Sequence, residues 1–149
     1  MTDAAKVVVT GGGTGIGLAT TRLLAQRGWQ VIAAGLERAD DFPAAIPFVD
    51  CDVTDTASVA RVFDGIDRLG GLVTCAGTIR YGREWDPVIF EKVMAVNVTG
   101  MLNCCSAARP LLAQGSGSIV NIASMWTWFG NPVAPAYGTS KGAVAALTR

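Results

Sequence analysis

The chain of 149 residues is half hydrophobic and only 16% charged, and its 12 basic and 12 acidic residues give a net charge of zero. This composition excludes a disordered chain and predicts one α/β domain with a well-buried core over residues 1–149. No basic run supports binding to nucleic acid, no apolar run approaches the roughly 18 residues that span a bilayer, and we expect no secretory signal at the N-terminus.

Four cysteines, Cys51, Cys75, Cys104 and Cys105, follow no C-x-x-C spacing and sit in apolar runs. We therefore predict buried free thiols in a protein of the reducing cytoplasm. Because the chain has no histidine and no cysteine cluster, we expect no metal site.

The first element is predicted at Lys6–Thr10, a β-branched run typical of a strand buried on both faces of a parallel sheet. A glycine turn follows at Gly11–Gly17, and apolar residues at helical spacing predict a helix over Leu18–Arg27 that stops at Gly28. A strand, a glycine turn and a helix in this order predict a phosphate cradle. Glycines let the backbone approach a pyrophosphate, and the helix N-terminus offers free N–H groups.

The glycine spacing alone leaves the bound nucleotide open. The strict G-x-G-x-x-G fingerprint is missing, and the turn instead has the form Thr10-Gly11-x-x-x-Gly15-Ile16-Gly17. Alternating glycines also occur in methyltransferase loops, which usually have an acidic residue where this chain has Val9. A P-loop would require Gly-Lys-Ser/Thr, which this turn lacks.

The second strand is predicted at Gln30–Ala34, and its end is where an adenosine ribose would lie. An acidic residue there favours NAD, whereas a basic residue favours the 2′-phosphate of NADP. Glu37 and Arg38 both stand slightly after the strand end where such a residue is expected, so the choice between NAD and NADP stays open.

A loop at Pro43–Pro47 and a third strand from Phe48 precede a helix predicted over Asp55–Asp64, capped by Thr54 or Asp55. Asp52 lies between strand and helix. It can accept a hydrogen bond from an adenine amino group or serve as a turn aspartate, and its position does not separate the two.

The fourth strand is predicted at Gly71–Cys75, and the small residues Ala76 and Gly77 after it leave room for a ligand. Asp86 and Pro87 predict the cap and first turn of the next helix. Asn97 falls in an apolar stretch of that helix. It either ties backbone groups together, or kinks the helix and holds a water near the active site.

A fifth strand at Ser118–Ala123 places Ser124 at the carboxyl edge of the sheet. Tyr137 and Lys141 then stand four residues apart, on one face of a helix. A phenol normally titrates near pKa ~10, and a fixed positive charge nearby favours the phenolate. Such a pair can give a proton to an alkoxide or take one from an alcohol, although a plain amphipathic surface pair has the same spacing.

In the order and spacing of these motifs, the chain resembles the short-chain dehydrogenase/reductase family in its single-domain form, from Lys6 to Arg149. The matching residues are Thr10-Gly11-x-x-x-Gly15-x-Gly17, Asp52-Val53, Ala76-Gly77, Asn97, Ser124 and Tyr137-x-x-x-Lys141. The resemblance implies a Rossmann-like, doubly wound parallel sheet in three α/β/α layers, which binds NAD or NADP. It also implies a small-molecule alcohol or ketone substrate and a homo-oligomer, a dimer or tetramer, when full length.

The resemblance also implies a role for each site residue. Gly11, Thr14, Gly15, Ile16 and Gly17 would bind the pyrophosphate of the cofactor, and Asp52 and Val53 would contact its adenine. The remaining cofactor-binding residues would be Ala76, Gly77, Tyr137 and Lys141. Tyr137 would be the general acid/base, and Lys141 would make its phenol more acidic and hold the nicotinamide ribose. Ser124 would hydrogen-bond the substrate oxygen, and Asn97 would support a water that links Lys141 to solvent.

Two departures from the family pattern affect these expectations. Thr74 and Cys75 stand where the family often has two Asn, the first of which supports the sheet, so we expect little loss of function. The family continues beyond the Tyr137 helix with further strands and a substrate lid. We therefore expect an incomplete copy of a protein of roughly 250 residues, with C-terminal strands missing and an apolar sheet edge uncovered.

The stretch Met125–Gly130, rich in aromatic residues, is predicted to line the substrate site or, alternatively, to pack under the missing lid or at a subunit contact. Its aromatic residues suggest an apolar or ring-bearing substrate, or stacking on a sugar. Because a fold does not guarantee activity, a non-catalytic nucleotide-binding or redox-sensing module is the competing expectation.

Overall fold

A computed structural model describes residues 5–149 of the chain as a five-stranded parallel sheet with helices on both faces. The strand order is β3-β2-β1-β4-β5, a doubly wound arrangement in which the order of successive strands reverses between β1 and β4. The strands are β1 (Lys6–Thr10), β2 (Gln30–Gly35), β3 (Phe48–Asp50), β4 (Gly71–Thr74) and β5 (Ser118–Asn121). The predicted fold class is confirmed.

The helices connect these parallel strands. They are α1 (Gly15–Gln26), α2 (Thr56–Val62), α3 (Pro87–Met94), α4 (Met101–Gly115) and α5 (Pro135–Thr148), with a π-helical turn at Ala95–Gly100 and a 3-10 turn at Met125–Thr127. Asp55 caps α2 by accepting from the Ala57 N–H, and Asp86 caps α3 by accepting from the Val88 N–H. Asp86 was the predicted cap of α3, and Asp55 was one of the two candidates for α2; both satisfy N–H groups that a helix start leaves free.

The β-branched residues of β1 divide the core between the two faces of the sheet. Val7 and Val9 point to one face, where they pack with Val31 and with residues of α1. Val8 points to the other face and joins a larger cluster with Leu72 and with residues of α2 and α4. This alternation follows from the two-residue period of a strand, and it explains why the whole run is apolar.

The helix from Pro87 to Gly115 differs from the sequence-based expectation. It runs continuously for 29 residues through the π-helical turn, and its most apolar 18-residue window has a mean hydropathy of 1.3. By length and composition alone it could cross a membrane, a property that core helices of soluble proteins share, and polar residues such as Lys92, Asn97 and Asn103 interrupt its apolar residues. Val93, Cys104 and Leu112 on this helix are buried inside the domain, as in a core helix.

Several element ends also differ by a few residues. Helix α1 begins at Gly15 rather than Leu18, because the glycine turn itself supplies the first helical residues. Strand β5 ends at Asn121 rather than Ala123, and α2 spans only Thr56–Val62. All four cysteines are free, but Cys75 and Cys105 are half-buried rather than buried.

Candidate functional site

The predicted site residues follow the carboxyl ends of strands that all run in the same direction. Gly11 follows β1, Asp52 follows β3, Ala76 follows β4 and Ser124 follows β5. Because the strands are parallel, these ends meet at one edge of the sheet. Ligands bind at that edge in open α/β sheets, next to the point where strand order reverses.

Two glycines of the turn, Gly11 and Gly17, lie in backbone contacts that leave no room for a side chain. Gly11 has a φ of +64°, and a Cβ placed on it would lie 2.6 Å from the Ala76 nitrogen. A Cβ on Gly17 would lie 2.0 Å from the Gly11 carbonyl oxygen. These contacts bring the turn, the start of α1 and the Ala76-Gly77 pair together.

The start of α1 fits a pyrophosphate. Thr14, Gly15 and Ile16 are exposed beside the turn, with Ile16 67% exposed although it is apolar. No side chain caps this helix start, so its backbone N–H groups and positive dipole end remain for an anion. The residues present therefore fit the phosphate cradle that the strand, glycine turn and helix predicted.

Asp52 and Val53 stand beside the turn after β3, and much of each side chain is already engaged. Oδ1 of Asp52 accepts hydrogen bonds from the Thr54 N–H at 2.9 Å and the Thr54 hydroxyl at 2.8 Å. The turn role is thus present, and an adenine contact would fall to Oδ2. Val53 is 6% exposed and packs against Gly100 of the π-helical turn.

Tyr137 and Lys141 share one face of α5, as their spacing predicted. The Lys141 Nζ lies 5.5 Å from the centroid of the Tyr137 ring and donates a hydrogen bond to the Ile122 carbonyl at 2.5 Å. Lys141 is only 6% exposed. Burial lowers the pKa of its ammonium, and the nearby Cys75 thiol opposes that shift.

Ser124 is held on the segment that packs against this pair. Its Oγ accepts from the Trp126 N–H at 3.3 Å, which leaves the hydroxyl proton for a substrate. The Trp126 ring meets the Tyr137 ring edge-to-face with centroids 5.4 Å apart, and the Thr127 hydroxyl donates to the Lys141 carbonyl at 3.1 Å. Together with the hydrogen bond from Lys141 to the Ile122 carbonyl, these two contacts join the segment 122–127 to α5.

Asn97 lies in the π-helical turn and is 2% exposed. Its Oδ1 accepts from the Thr78 N–H at 2.7 Å, and its Nδ2 donates to the Thr78 carbonyl at 2.9 Å and to the Ser140 Oγ at 2.9 Å. The amide thus ties the chain after β4 to α5, which is the first of the two expected roles. The π-helical turn changes the helix register at this residue, as turns of this kind often do at functional sites. Water binding at Asn97 stays a prediction.

The aromatic residues between Ser124 and Tyr137 divide into two groups. Trp126 is half-buried between the rings of Tyr81 and Tyr137. Trp128 and Phe129 are 73% and 63% exposed, and they border an open groove of about 610 Å³ that also includes Trp85. Trp126 also lines this groove and packs edge-to-face on Tyr137, so it connects the groove to the predicted acid/base.

Two contacts at this edge were not singled out from the sequence. Thr74 donates its hydroxyl proton to Asn121 Oδ1 at 2.8 Å, linking β4 to β5, so the sheet-supporting role expected of this position is filled. Glu84 is fully buried and accepts from the Tyr137 N–H at 2.7 Å. A single acidic residue in a loop gives no periodic or spacing signal, so only the three-dimensional arrangement identifies it.

Comparison with known proteins agrees with this geometry. The family model for short chain dehydrogenases matches residues 5–149. Galactitol 2-dehydrogenase (L-tagatose-forming) from Cereibacter sphaeroides is 40% identical, with 99% of this chain and 64% of the relative covered. Cis-4-hydroxycyclohexanecarboxylate dehydrogenase from Sinomonas cyclohexanicum is 37% identical, with 95% and 64% covered.

Solved structures give the same result. The aldohexose dehydrogenase of Thermoplasma acidophilum in ligand-free form superposes with a TM-score of 0.88 at 30% identity, over 97% of this chain and 59% of that one. The chain spans 64% of the length of the two curated relatives. With the family model matched from residue 5 to residue 149, the chain belongs to the short-chain dehydrogenase/reductase family, whose members in general bind NAD(P).

Proposed function

We propose that the protein transfers a hydride between a nicotinamide cofactor and a small alcohol or ketone, with Tyr137 as the general acid/base. The observation that carries the proposal is the packing of Tyr137 and Lys141 against the segment of Ser124. This packing stands at the same sheet edge as the glycine turn.

The cofactor would lie along that edge. The pyrophosphate would rest on Gly11, Gly15 and Gly17 and on the free N–H groups of α1, and the adenine end would reach Asp52. When bound, the nicotinamide supplies or accepts the hydride. Glu37 and Arg38 are both exposed beside the turn, so the preference between NAD and NADP is left to measurement.

The chain's own groups would then handle the substrate oxygen and its proton. The Ser124 hydroxyl donates a hydrogen bond to that oxygen and fixes its position. In the reductive direction the Tyr137 hydroxyl gives its proton to the developing alkoxide, and in the oxidative direction the phenolate takes a proton from the alcohol. The Lys141 Nζ lies 5.5 Å from the centroid of the Tyr137 ring, where its ammonium would stabilise negative charge that develops during the reaction.

For the substrate we propose a hydroxylated ring or a polyol, or the matching ketone. Support comes from the similar proteins, which are named for a hydroxycyclohexanecarboxylate and for galactitol. The half-buried Trp126 beside Tyr137 offers an aromatic surface on which a ring can pack.

The direct test is to titrate the full-length protein with NAD, NADP and S-adenosylmethionine, and then to follow the absorbance of reduced nicotinamide with a panel of cyclic alcohols and polyols. We expect binding of one nicotinamide cofactor and turnover with at least one alcohol. Cofactor binding without turnover across the panel would favour the non-catalytic module, and binding of S-adenosylmethionine alone would contradict the proposal.

A further inference from the structure

Glu84 is a fully buried carboxylate in the loop between β4 and α3, and the mechanism above gives it no part. Within residues 5–149, Glu84 forms no salt bridge; the ion pair found there joins Arg22 to Asp41. Burying a carboxylate without partners is very unfavourable. Glu84 is instead satisfied by two backbone donors, the Arg80 N–H to Oε1 and the Tyr137 N–H to Oε2, each at 2.7 Å.

The contact with Tyr137 falls at the start of α5. The helix begins at Pro135, so the Tyr137 N–H is one of the donors that a first turn leaves without a partner inside the helix. Ala134, at the cap position, has no side chain that could accept from it. Glu84 therefore acts as a cap supplied from a distant part of the chain, and its negative charge suits the positive end of the helix dipole.

The loop that carries Glu84 is fixed to the same region by further contacts. The Gly82 N–H donates to the Val133 carbonyl at 2.8 Å, and the Trp85 indole N–H donates to the Pro132 carbonyl at 2.8 Å. These contacts hold the chain just before α5. The Glu84 carboxylate cannot shift without moving the backbone of the residue that carries the phenol.

We infer that Glu84 is a positioning residue for the proposed reaction, because its carboxylate fixes the backbone of Tyr137 and so sets where the phenol stands. The inference rests on the proposed function. Ser124 and Lys141 are held by contacts that do not involve Glu84. Loss of the carboxylate therefore displaces the phenol relative to partners that stay in place.

The test is Glu84→Gln in the full-length protein, with Glu91→Gln as the matched control. The amide keeps the size of the side chain but replaces one acceptor oxygen with a donor, so one of the two N–H groups loses its partner. Glu91 is an exposed glutamate on the neighbouring helix α3. Steady-state kinetics, cofactor titration and exchange of the Tyr137 amide proton are measured for each variant.

We expect kcat of Glu84→Gln to fall by about 10²-fold, the loss typical of a 1 Å misplacement, while the KM and the cofactor Kd stay near those of the wild type. The Tyr137 amide proton is expected to exchange faster. Glu84→Asp keeps the charge and both acceptors on a shorter side chain, so its kcat is expected to lie between those of the wild type and Glu84→Gln. If Glu84→Gln does not fold, the test uses Glu84→Asp, in which a lower kcat should accompany faster exchange of the Tyr137 amide proton.

Wild-type kcat in Glu84→Gln, or parallel losses of kcat and cofactor binding, would overturn the positioning role and leave the proposed function intact. An effect of the same size in Glu91→Gln would also overturn it. If the wild-type protein transfers no hydride with either cofactor, the proposed function fails and the role of Glu84 fails with it.

Discussion

The residues that would perform the chemistry are held by many hydrogen bonds, but the groups that would touch a substrate are left available. The Ser124 oxygen accepts a backbone N–H and keeps its proton free to donate. Lys141 is buried and anchored to the Ile122 carbonyl. Such fixed donors cost no reorganisation during the reaction, which makes them effective catalysts.

Ser124→Ala tests this arrangement at one atom. Loss of one pre-positioned donor typically lowers kcat by about 10²–10³-fold, whereas the cofactor Kd is expected to stay unchanged because the glycine turn is untouched. Steady-state kinetics with the best substrate of the panel make the comparison. Ser106→Ala, at an exposed serine of α4, is the control. A Ser124→Ala enzyme with wild-type kcat would remove Ser124 from the mechanism.

At the scale of the elements, the site depends on the close approach of the glycine turn to α1 and β4. Gly17 stands on the first turn of α1, directly against the Gly11 carbonyl. Any side chain there would separate the helix start from the turn that it completes. The backbone N–H groups would then no longer converge on one anion.

Gly17→Ala is therefore expected to destabilise the protein by about 1–3 kcal/mol through overpacking and to weaken cofactor binding. Gly142→Ala is the matched control, because a Cβ there meets no atom within 4 Å inside α5, and alanine at such a site stabilises by about 0.4–1 kcal/mol. Urea denaturation and cofactor titration measure both effects. Wild-type affinity in Gly17→Ala would show that the turn does not hold the pyrophosphate.

The elements were largely predictable from the sequence because each has a local signal. β1 was marked by its β-branched run, and Asp55 and Asp86 marked two helix starts. The early end of β5 was not predictable, since Ile122 and Ala123 remain apolar after the ladder with β4 has ended. The role of Glu84 was equally hidden, because its partner Tyr137 lies 53 residues further along the chain.

At the scale of the whole molecule, the buried cysteines link stability to pH. Burial raises the pKa of the Cys104 thiol from 9.0 to about 12. Between these values the unfolded chain loses the proton and the folded protein keeps it, so stability falls as pH rises. Lys141 acts in the opposite sense, because burial lowers its pKa from 10.5 and favours release of its proton in the folded protein.

Cys104→Ala isolates the thiol from these other groups. Above about pH 9, the wild-type free energy of unfolding is expected to fall more steeply than that of the variant, by up to about 1.4 kcal/mol per pH unit. Urea denaturation in the presence of a reductant, repeated at several alkaline pH values, gives the two slopes. Equal slopes would mean that the Cys104 thiol does not contribute to the alkaline loss of stability.

The proposed reaction depends on a phenol that exchanges a proton with the substrate at the edge of a dinucleotide site. Tyr137→Phe in the full-length protein tests this most directly, since it removes the hydroxyl and keeps the ring that packs on Trp126. We predict a fall in kcat of about 10²–10⁴-fold with a far smaller change in cofactor Kd, because the glycine turn and Lys141 still hold the cofactor. Turnover at the wild-type rate in Tyr137→Phe would contradict the role of Tyr137 as the general acid/base.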